Sequence, residues 1–397
     1  MPVAKKLVPG FIALLALYCI VNCIVHRRIF LSRNIPALLM LAIFALHLIG
    51  LTYSEHAHDG LNEVGIKLSY LAFPIIGWLM PGVTHNQLTK ISNAFIAGCV
   101  AGIVVMLVSA MIQYSEVSDI SIFSYEKLSG LVSLHPTYAA TYLAFAIFIL
   151  LRNASLGRWF FSSKWIHVVC ILAMLVFICM LASKAGFIAA GLSVLLGGWC
   201  WWKNNKSMSG GIAMVFSCAV VMFIALRLLP GASERIEAAV NDATTIAADG
   251  TAAQHEAHSS TELRMLTWKS SLELLLANPI GVGTGDTEYE LVKKYEAKRE
   301  SYAAQRRFNA HNQFLQAGAE HGWPALLLLL TLCLVLLRSA ITTRDAALMY
   351  FILLCGMNFL FESFLETQAG IVFFCFWVVV FAKQKSVDAA HATNQST

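Results

Sequence analysis

The sequence has few charged residues for its length. Of its 397 residues, 13% are charged and 58% are hydrophobic, and the mean hydropathy is +0.68. A soluble globular domain carries about 25% charged residues. This shortage of charge excludes a soluble enzyme, and the apolar runs are continuous, whereas barrel strands alternate. The composition therefore predicts an all-α polytopic integral membrane protein.

Several motifs are also absent. All ten cysteines lie in apolar segments, so neither a disulfide framework nor a thiolate metal site is predicted. No Walker sequence, no Gly-x-Ser-x-Gly turn and no His/Asp/Glu group with metal-ligand spacing is found. The polar insert 230–322 has nine basic and thirteen acidic residues, which excludes a polybasic nucleic-acid surface. We expect an enzyme without metal or cofactor, which must use a preactivated donor.

Apolar windows of about 17–25 residues are typical of membrane-spanning helices. We count eleven, at 8–25, 35–52, 66–81, 91–112, 136–151, 165–182, 185–202, 211–229, 323–338, 345–361 and 368–382. The expected organisation is about 11–12 transmembrane helices, with an N-terminal set in 1–229, a largely helical polar insert in 230–322, a C-terminal set in 323–383 and a disordered tail in 384–397.

Basic residues concentrate in alternate loops, and cytoplasmic loops carry such an excess. The loops with this excess contain Arg27, Arg28, Arg33, Lys90, Arg152, Arg158, Lys164, Lys203, Lys206, Arg338, Arg344, Lys383 and Lys385. The other short loops have mainly Lys127 and Lys184. The tail is therefore expected in the cytoplasm and the insert 230–322 on the outer face, although Lys5 and Lys6 argue against an external N-terminus.

The insert has a local pattern of its own. It predicts an amphipathic helix at 232–248, a loop at 251–260, and a helix from Glu262 to about Leu276 capped by Thr261. A flexible turn is expected at Gly281, Gly283 and Gly285. A charged helix with little apolar face at 287–307 is expected to follow, and then a break at Gly322 before Pro324. On the expected topology, the insert and the short loops around His135, Lys184 and Glu362 reach one membrane face.

Several residues near that face have chemistry suited to catalysis. His311 follows the charged helix, and a neutral imidazole is the ordinary general base, although a lone histidine is more often a polar cap. Arg264 can bind an anion bidentately, and Lys184 lies between two nearly fused apolar segments, where a charge is costly unless solvated, paired or functional. Each residue also has a simpler interpretation without a function: Arg264 as a solvated arginine on a helix, and Lys184 as a lysine in a loop.

Carboxylates and one further histidine belong to the same candidate set. Glu320, Glu362 and Glu366 can contact sugar hydroxyls or pair with the arginines, and the second reading is favoured. His135, before Pro136, can contact substrate or only begin a helix.

At these residues the chain resembles the bacterial O-antigen ligase and polymerase superfamily. The resemblance runs from about residue 51 to 383 and is most specific in His311-Asn312-Gln313-Phe314-Leu315, in Glu320-His321-Gly322-Trp323, and in Arg264 with Trp268 followed by Asn278-Pro279-Ile280-Gly281-Val282-Gly283. Two departures are a lysine, Lys184, where the family usually has an arginine after serine, and eleven counted helices where the family has twelve.

The resemblance implies a metal-independent glycosyltransferase of the bacterial inner membrane with its active site facing the periplasm. A glycan would move from undecaprenyl pyrophosphate to lipid A-core, with inversion. His311 would activate the acceptor, and Arg264 and Lys184, with Arg306 or Arg307, would bind the pyrophosphate. A polymerase or a protein-glycosylating ligase shares these features, and a transporter of lipid-linked sugar is the alternative of another class, although neither inverted repeats nor broken mid-membrane helices are found.

Overall fold

The computed structural model describes residues 7–26, 34–130, 132–229 and 260–395, and these residues form helices and turns with no strand among them. The predicted all-α membrane fold is therefore confirmed. The helix expected at 232–248 lies outside the described residues, as does the loop expected at 251–260 except for Ser260, which begins a helix.

The helices, in chain order, are α1 (Val8–His26), α2 (Ile35–Leu51), α3 (Ala57–Lys67), α4 (Ser69–Leu79), α5 (His85–Val117), α6 (Tyr125–Gly130), α7 (Pro136–Ser155), α8 (Lys164–Leu181), α9 (Lys184–Asn205), α10 (Met208–Leu228), α11 (Ser260–Ala277), α12 (Thr287–Ala297), α13 (Ser301–Arg306), α14 (Gln313–Thr343), α15 (Ala346–Phe361) and α16 (Gln368–Gln395). Short 3-10 turns occur at Ile120–Phe123, Phe160–Ser162 and Phe364–Glu366.

Among the described residues, seven helices are long and apolar enough to cross a membrane, namely α1, α5, α7, α8, α9, α10 and α14. Three shorter apolar helices, Ile35–Leu51, Ala346–Phe361 and Gln368–Gln384, accompany them. The expected segment 66–81 differs, because it contains the end of the polar helix α3 and the 11-residue α4, which meet at Leu68.

The chain divides into two compact units. Unit 1 contains residues 1–8, 86–241 and 344–354, and unit 2 contains 9–85, 242–343 and 355–397. In unit 1, α7 is buried over nearly its whole length, and the ring of Tyr350 stacks on Phe148 with 4.4 Å between centroids. The Tyr350 hydroxyl donates to the carbonyl of Ala189 at 3.0 Å.

In unit 2, part of the polar insert has a small apolar core. Leu274, Leu291, Tyr295, Ala303 and Ala319 are buried together, and they join α11, α12, α13 and α14. The prediction of one charged helix with little apolar face at 287–307 is wrong in two respects. The segment divides into α12 and α13 around a left-handed residue, Arg299 (φ 62°), and it has an apolar face, since Leu291 and Tyr295 lie four residues apart on one side.

The expected break at Gly322 is confirmed. Within α14, His321 (φ −129°, ψ 19°) and Gly322 (φ 69°, ψ −162°) leave the helical region, and Pro324 lies in the first turn after them. A Cβ at residue 322 would collide with the carbonyl oxygen of Pro279. Glycine is therefore required by both its conformation and its space. The kink turns the polar first part of α14 away from the line of its apolar second part.

The turn before α12 is held to the segment between α2 and α3. The Asp286 carboxylate accepts hydrogen bonds from the backbone N–H of Glu55 and of His56, each at 2.8 Å, and from the His56 ring at 2.7 Å. Burial opposes ionisation, but these hydrogen bonds outweigh it and hold the pKa of Asp286 below its ordinary value. The expected glycine turn is confirmed, with Gly283 at φ 111° and Gly285 at φ 96°.

The last helix, α16, extends beyond the apolar segment Gln368–Gln384. Disorder was expected from residue 384, whereas α16 continues to Gln395. The segment 384–395 contains neither proline nor glycine, so its backbone can continue the helix.

Candidate active site

The start of α14 positions the candidate base. Asn312 caps the helix, because its Oδ1 accepts the N–H groups of Phe314 at 3.0 Å and Leu315 at 3.1 Å. Its Nδ2 donates to the carbonyl of Leu360 at 3.2 Å, which connects the cap to the end of α15. His311 therefore lies one residue before a helix start that is anchored on both sides.

The backbone of His311 has an uncommon conformation, with φ 44° in the left-handed region. Its N–H donates to Asn309 Oδ1 at 3.0 Å, and its carbonyl accepts from Trp268 Nε1 at 3.2 Å. The ring lies 5.5 Å from that of Phe308, centroid to centroid. A left-handed conformation in a non-glycine residue persists only when the surrounding contacts hold it, and such strain is concentrated at functional sites.

A carboxylate joins the candidate base to the candidate anion-binding residue. Glu362 Oε2 lies 3.2 Å from His311 Nδ1, and Glu362 Oε1 lies 3.2 Å from Arg264 Nη2. Arg264 Nε also donates to the carbonyl of Phe361 at 3.2 Å. The side chains of Arg264, His311 and Glu362 are 25%, 27% and 14% exposed, so the group is partly buried and accessible. We call these three residues the His311 cluster.

The geometry of the His311 cluster fixes the roles of the ring nitrogens. A carboxylate paired with an arginine only accepts hydrogen bonds, so His311 Nδ1 carries the proton that it donates to Glu362. In the neutral ring, Nε2 then has the lone pair and can accept a proton from a substrate. A base oriented by a second group is the arrangement used for general base catalysis. The structure brings together His311, Arg264 and Glu362, and the carboxylate is placed in the arginine-pairing role.

Glu366 lies in a neighbouring, more enclosed position. Its Oε1 is 2.7 Å from Lys67 Nζ and accepts from Gln313 Nε2 at 2.9 Å. Lys67 is only 2% exposed and also donates to the carbonyl of Leu365 at 3.1 Å. The Lys67–Glu366 pair thus connects α3 to the turn after α15 from within unit 2.

Glu320 is buried, with 1% of its surface exposed. Its Oε1 lies 3.6 Å from His47 Nε2 and 3.8 Å from His321 Nδ1, so it is directed at two imidazoles. A side-chain hydrogen bond connects it to Glu63. Burial, reinforced by the charge of Glu366, raises the pKa of Glu63 to about 7.

Arg306 and Arg307 lie at the end of α13. Arg307 pairs with Glu288, and its guanidinium lies 4.7 Å from the ring centroid of Tyr289. The guanidinium of Arg306 lies 5.8 Å from the ring of Tyr302. Both arginines therefore make cation–π contacts on the helical insert, and Arg307 already has an acidic partner.

Lys184 and His135 belong to unit 1. Lys184 is exposed and is the first residue of α9, whose cap Ser183 accepts the N–H of Gly186 at 3.3 Å. The ring of His135 caps α7 by accepting the N–H of Thr137 at 3.3 Å. Its helix-starting role is therefore seen directly.

Sequence reasoning missed Lys67, Glu63 and His47. Lys67 gave one signal, a charge at the edge of the apolar window 66–81. His47 gave less, since a single histidine in an apolar helix is most often a satisfied core residue. The spacing of residues in the sequence does not reveal the group His47, Glu320 and His321, because its members come from two helices far apart in the chain.

The fold and the site define a multi-pass helical membrane protein in which Arg264 and His311 of the polar insert meet Glu362 from the turn after α15. Residues 168–330 match the family model described as O-antigen ligase. The resemblance found in the sequence is thereby confirmed. The family consists of glycosyltransferase-like enzymes that act on lipid-linked sugars. A comparison with curated proteins finds no match.

The matched region includes most of the candidate site. It contains Lys184, Arg264, Arg306, Arg307, His311 and Glu320. His135, Glu362 and Glu366 lie outside it.

Proposed function

We propose that this protein is an O-antigen ligase of the bacterial inner membrane, with the His311 cluster on the periplasmic side. It would transfer a glycan from undecaprenyl pyrophosphate to a sugar hydroxyl of lipid A-core. The observation that supports this most is the bridging position of Glu362, 3.2 Å from both His311 Nδ1 and Arg264 Nη2. That carboxylate holds a base and a cation in one partly exposed group.

In the proposed reaction, the acceptor oxygen attacks the anomeric carbon of the first sugar. Its proton passes to His311 Nε2, and the bond between the anomeric carbon and the pyrophosphate oxygen breaks. Attack opposite the leaving group inverts the anomeric centre. Glu362 stabilises the imidazolium that forms, as the carboxylate partner does in histidine-based catalysis. As the resemblance implies, no metal takes part at the reacting atoms.

Arg264 is the proposed ligand of the departing pyrophosphate. A guanidinium has five N–H donors, which is enough to bind Glu362 and a phosphate oxygen together. Stabilising charge that develops on a leaving group is a large contribution to catalysis. Lys184, Arg306 and Arg307 stay proposals from the resemblance, and the contact of Arg307 with Glu288 means that it would have to exchange partners.

The acceptor distinguishes a ligase from a polymerase that uses the same donor. In a strain lacking the gene, lipopolysaccharide gels should show no polymer on lipid A-core, while polymer is retained on the carrier lipid. Complementation with the wild type should restore the ladder, and His311→Ala should not. A deletion strain with a single repeat unit on lipid A-core would instead identify a polymerase.

A transporter of lipid-linked sugar is separated by a different experiment. The purified protein in detergent, with no bilayer to cross, should consume a polyprenyl-pyrophosphate-linked glycan and release the polyprenyl pyrophosphate when an acceptor is present. A donor that stays intact under conditions where the protein is folded would contradict the proposed transfer.

A further inference from the structure

Two buried histidines and one buried carboxylate converge in unit 2, apart from the His311 cluster. His47 is on α2, and Glu320 and His321 are at the kink of α14. They are 5%, 1% and 3% exposed. The three ligand atoms lie within 4.8 Å of one another. Nothing in the proposed transfer reaction uses these residues.

The hydrogen bonds of the two imidazoles determine which nitrogens have lone pairs. His47 Nδ1 lies 2.8 Å from the carbonyl oxygen of Ile43. A carbonyl oxygen only accepts, so Nδ1 carries the proton and the neutral ring has its lone pair on Nε2. That Nε2 is the atom that lies 3.6 Å from Glu320 Oε1.

The tautomer of His321 follows from Thr284. The Thr284 hydroxyl has one proton, which it donates to the carbonyl of His47 at 2.7 Å. Its oxygen must then accept from His321 Nε2, 2.9 Å away. The neutral His321 ring therefore has its lone pair on Nδ1, the atom 3.8 Å from Glu320 Oε1.

Three acceptor atoms thus point at one buried position. Within the described part of the chain, Glu320 Oε1 and His321 Nδ1 are among the buried side-chain atoms that make no hydrogen bond. Burying such atoms without a partner is costly. One proton on Glu320 could satisfy one of the two imidazole nitrogens and would leave the other without a donor. A cation bound by all three atoms satisfies the whole group.

The distances suit a metal ion. Zinc binds imidazole nitrogen and carboxylate oxygen at about 2.0–2.2 Å in tetrahedral geometry, which places ligand atoms about 3.4 Å apart. The separations from Glu320 Oε1, 3.6 Å to His47 and 3.8 Å to His321, need only a small contraction. The second ring nitrogen of each histidine is fixed by a hydrogen bond, as in most histidine metal ligands.

The nearby charges also favour a cation. Glu320 is hydrogen-bonded to Glu63, and Glu366 lies close enough for its charge to act on both carboxyl groups. The cation Lys67 lies beside this group and pairs with Glu366 at 2.7 Å. Two carboxyl groups joined by a hydrogen bond share one proton, so the three carboxyl groups carry two negative charges against one ammonium group, which leaves room for further positive charge.

We propose that His47 Nε2, Glu320 Oε1 and His321 Nδ1 bind one divalent transition-metal ion, with zinc favoured by two imidazoles and one carboxylate. The ion connects α2 to the kink of α14 and holds the start of α14, from which the His311 cluster extends. Its role is structural, and the proposal rests on the fold of unit 2, not on the proposed transfer reaction.

The test is the metal content of the full-length protein. The protein is purified in detergent with an affinity tag that has no histidines, without chelator, and dialysed against metal-free buffer. Mass spectrometry of the metals should find about one zinc per wild-type chain. His47→Gln and Glu320→Gln should lower this at least tenfold. His58→Ala is the matched control, since that side chain is 91% exposed, and it should keep the wild-type content.

Added Co²⁺ is the second probe. Wild-type protein stripped of metal should bind it with a visible absorption band typical of low-coordinate cobalt, and Zn²⁺ should displace it. Thr284→Val keeps the size of the side chain and removes the hydroxyl that holds His321. It should weaken Zn²⁺ binding about 10- to 100-fold in competition with a chelator.

Three results would overturn the proposal. The first is that the wild-type protein contains less than about a tenth of a metal ion per chain and also binds no added Zn²⁺. The second is that the ligand variants keep the wild-type metal content. The third is that Thr284→Val binds Zn²⁺ with unchanged affinity. If a ligand variant fails to fold, the wild-type titration and the conservative Thr284→Val variant still decide the question.

Discussion

Replacing Glu362 by glutamine tests how the His311 cluster works. The substitution keeps the size of the side chain and removes the charge that lies 3.2 Å from His311 Nδ1. A hydrogen bond to a charged group is worth about 1.5–3 kcal/mol, and each 1.4 kcal/mol is a factor of ten in rate. Losing this stabilisation of the imidazolium should lower kcat by about 10- to 150-fold. The exposure of His311, 27%, favours the lower half of that range, because water screens the charge.

The assay is transfer of glycan from a purified lipid-linked donor to a purified lipid A-core acceptor, followed as initial rates at saturating substrate. Glu290→Gln is the matched control, because Glu290 pairs with Lys293 on the surface of α12, and its rate should stay within about twofold. Thermal unfolding in detergent should show that both variants are folded.

A double-mutant cycle separates orientation of the base from binding of Arg264. If Glu362 acts through the imidazole, Glu362→Gln should have little further effect in a His311→Ala background, since coupled residues are not additive. Full additivity of the two substitutions, or a Glu362→Gln enzyme as fast as the wild type, would refute the assigned role of the carboxylate.

Three further predictions concern stability, each measured by thermal unfolding in detergent. Lys67→Met removes the buried partner of Glu366 and should destabilise the protein by about 3–5 kcal/mol; an unchanged transition would show that the pair is not important. Gly322→Ala should prevent correct folding because its Cβ meets the Pro279 carbonyl, whereas Gly356→Ala, with no atom within 4 Å of the new Cβ, should be neutral or slightly stabilising. The lowered pKa of Asp286 stabilises the fold above its unfolded pKa of about 3.9, so this contribution should be lost as pH falls below about 4. Asp286→Asn should therefore be less stable than the wild type at pH 6 and differ less from it at pH 3; a constant difference would contradict the assignment.

The membrane fold could be predicted from composition and from single helices. Apolar runs and the break at Gly322 are local features, and local chemistry decides them. The apolar face of α12 was missed, because Leu291 and Tyr295 are only two residues in a charged segment, and their burial depends on partners in α11 and α14. The division of 66–81 into the end of α3 and α4 was missed because hydropathy extends across Leu68.

The candidate site could be predicted in part. His311 and Arg264 were found because their residue types match the expected chemistry and the family resemblance. Glu362, which bridges His311 and Arg264, lies 51 positions from His311 in the chain, so only the expected shared membrane face suggested this contact. The pairing of Lys67 with Glu366 spans nearly 300 positions and has no local pattern, since long-range ion pairs depend on how the helices pack.

The most direct test of the central claim is the transfer rate of purified His311→Ala with a lipid-linked glycan donor and a lipid A-core acceptor, compared with the wild type. Removing a general base should lower the rate by about 10²- to 10⁴-fold, while donor binding is retained. A His311→Ala protein that transfers glycan at the wild-type rate would show that the imidazole is not the base and would contradict the proposed mechanism.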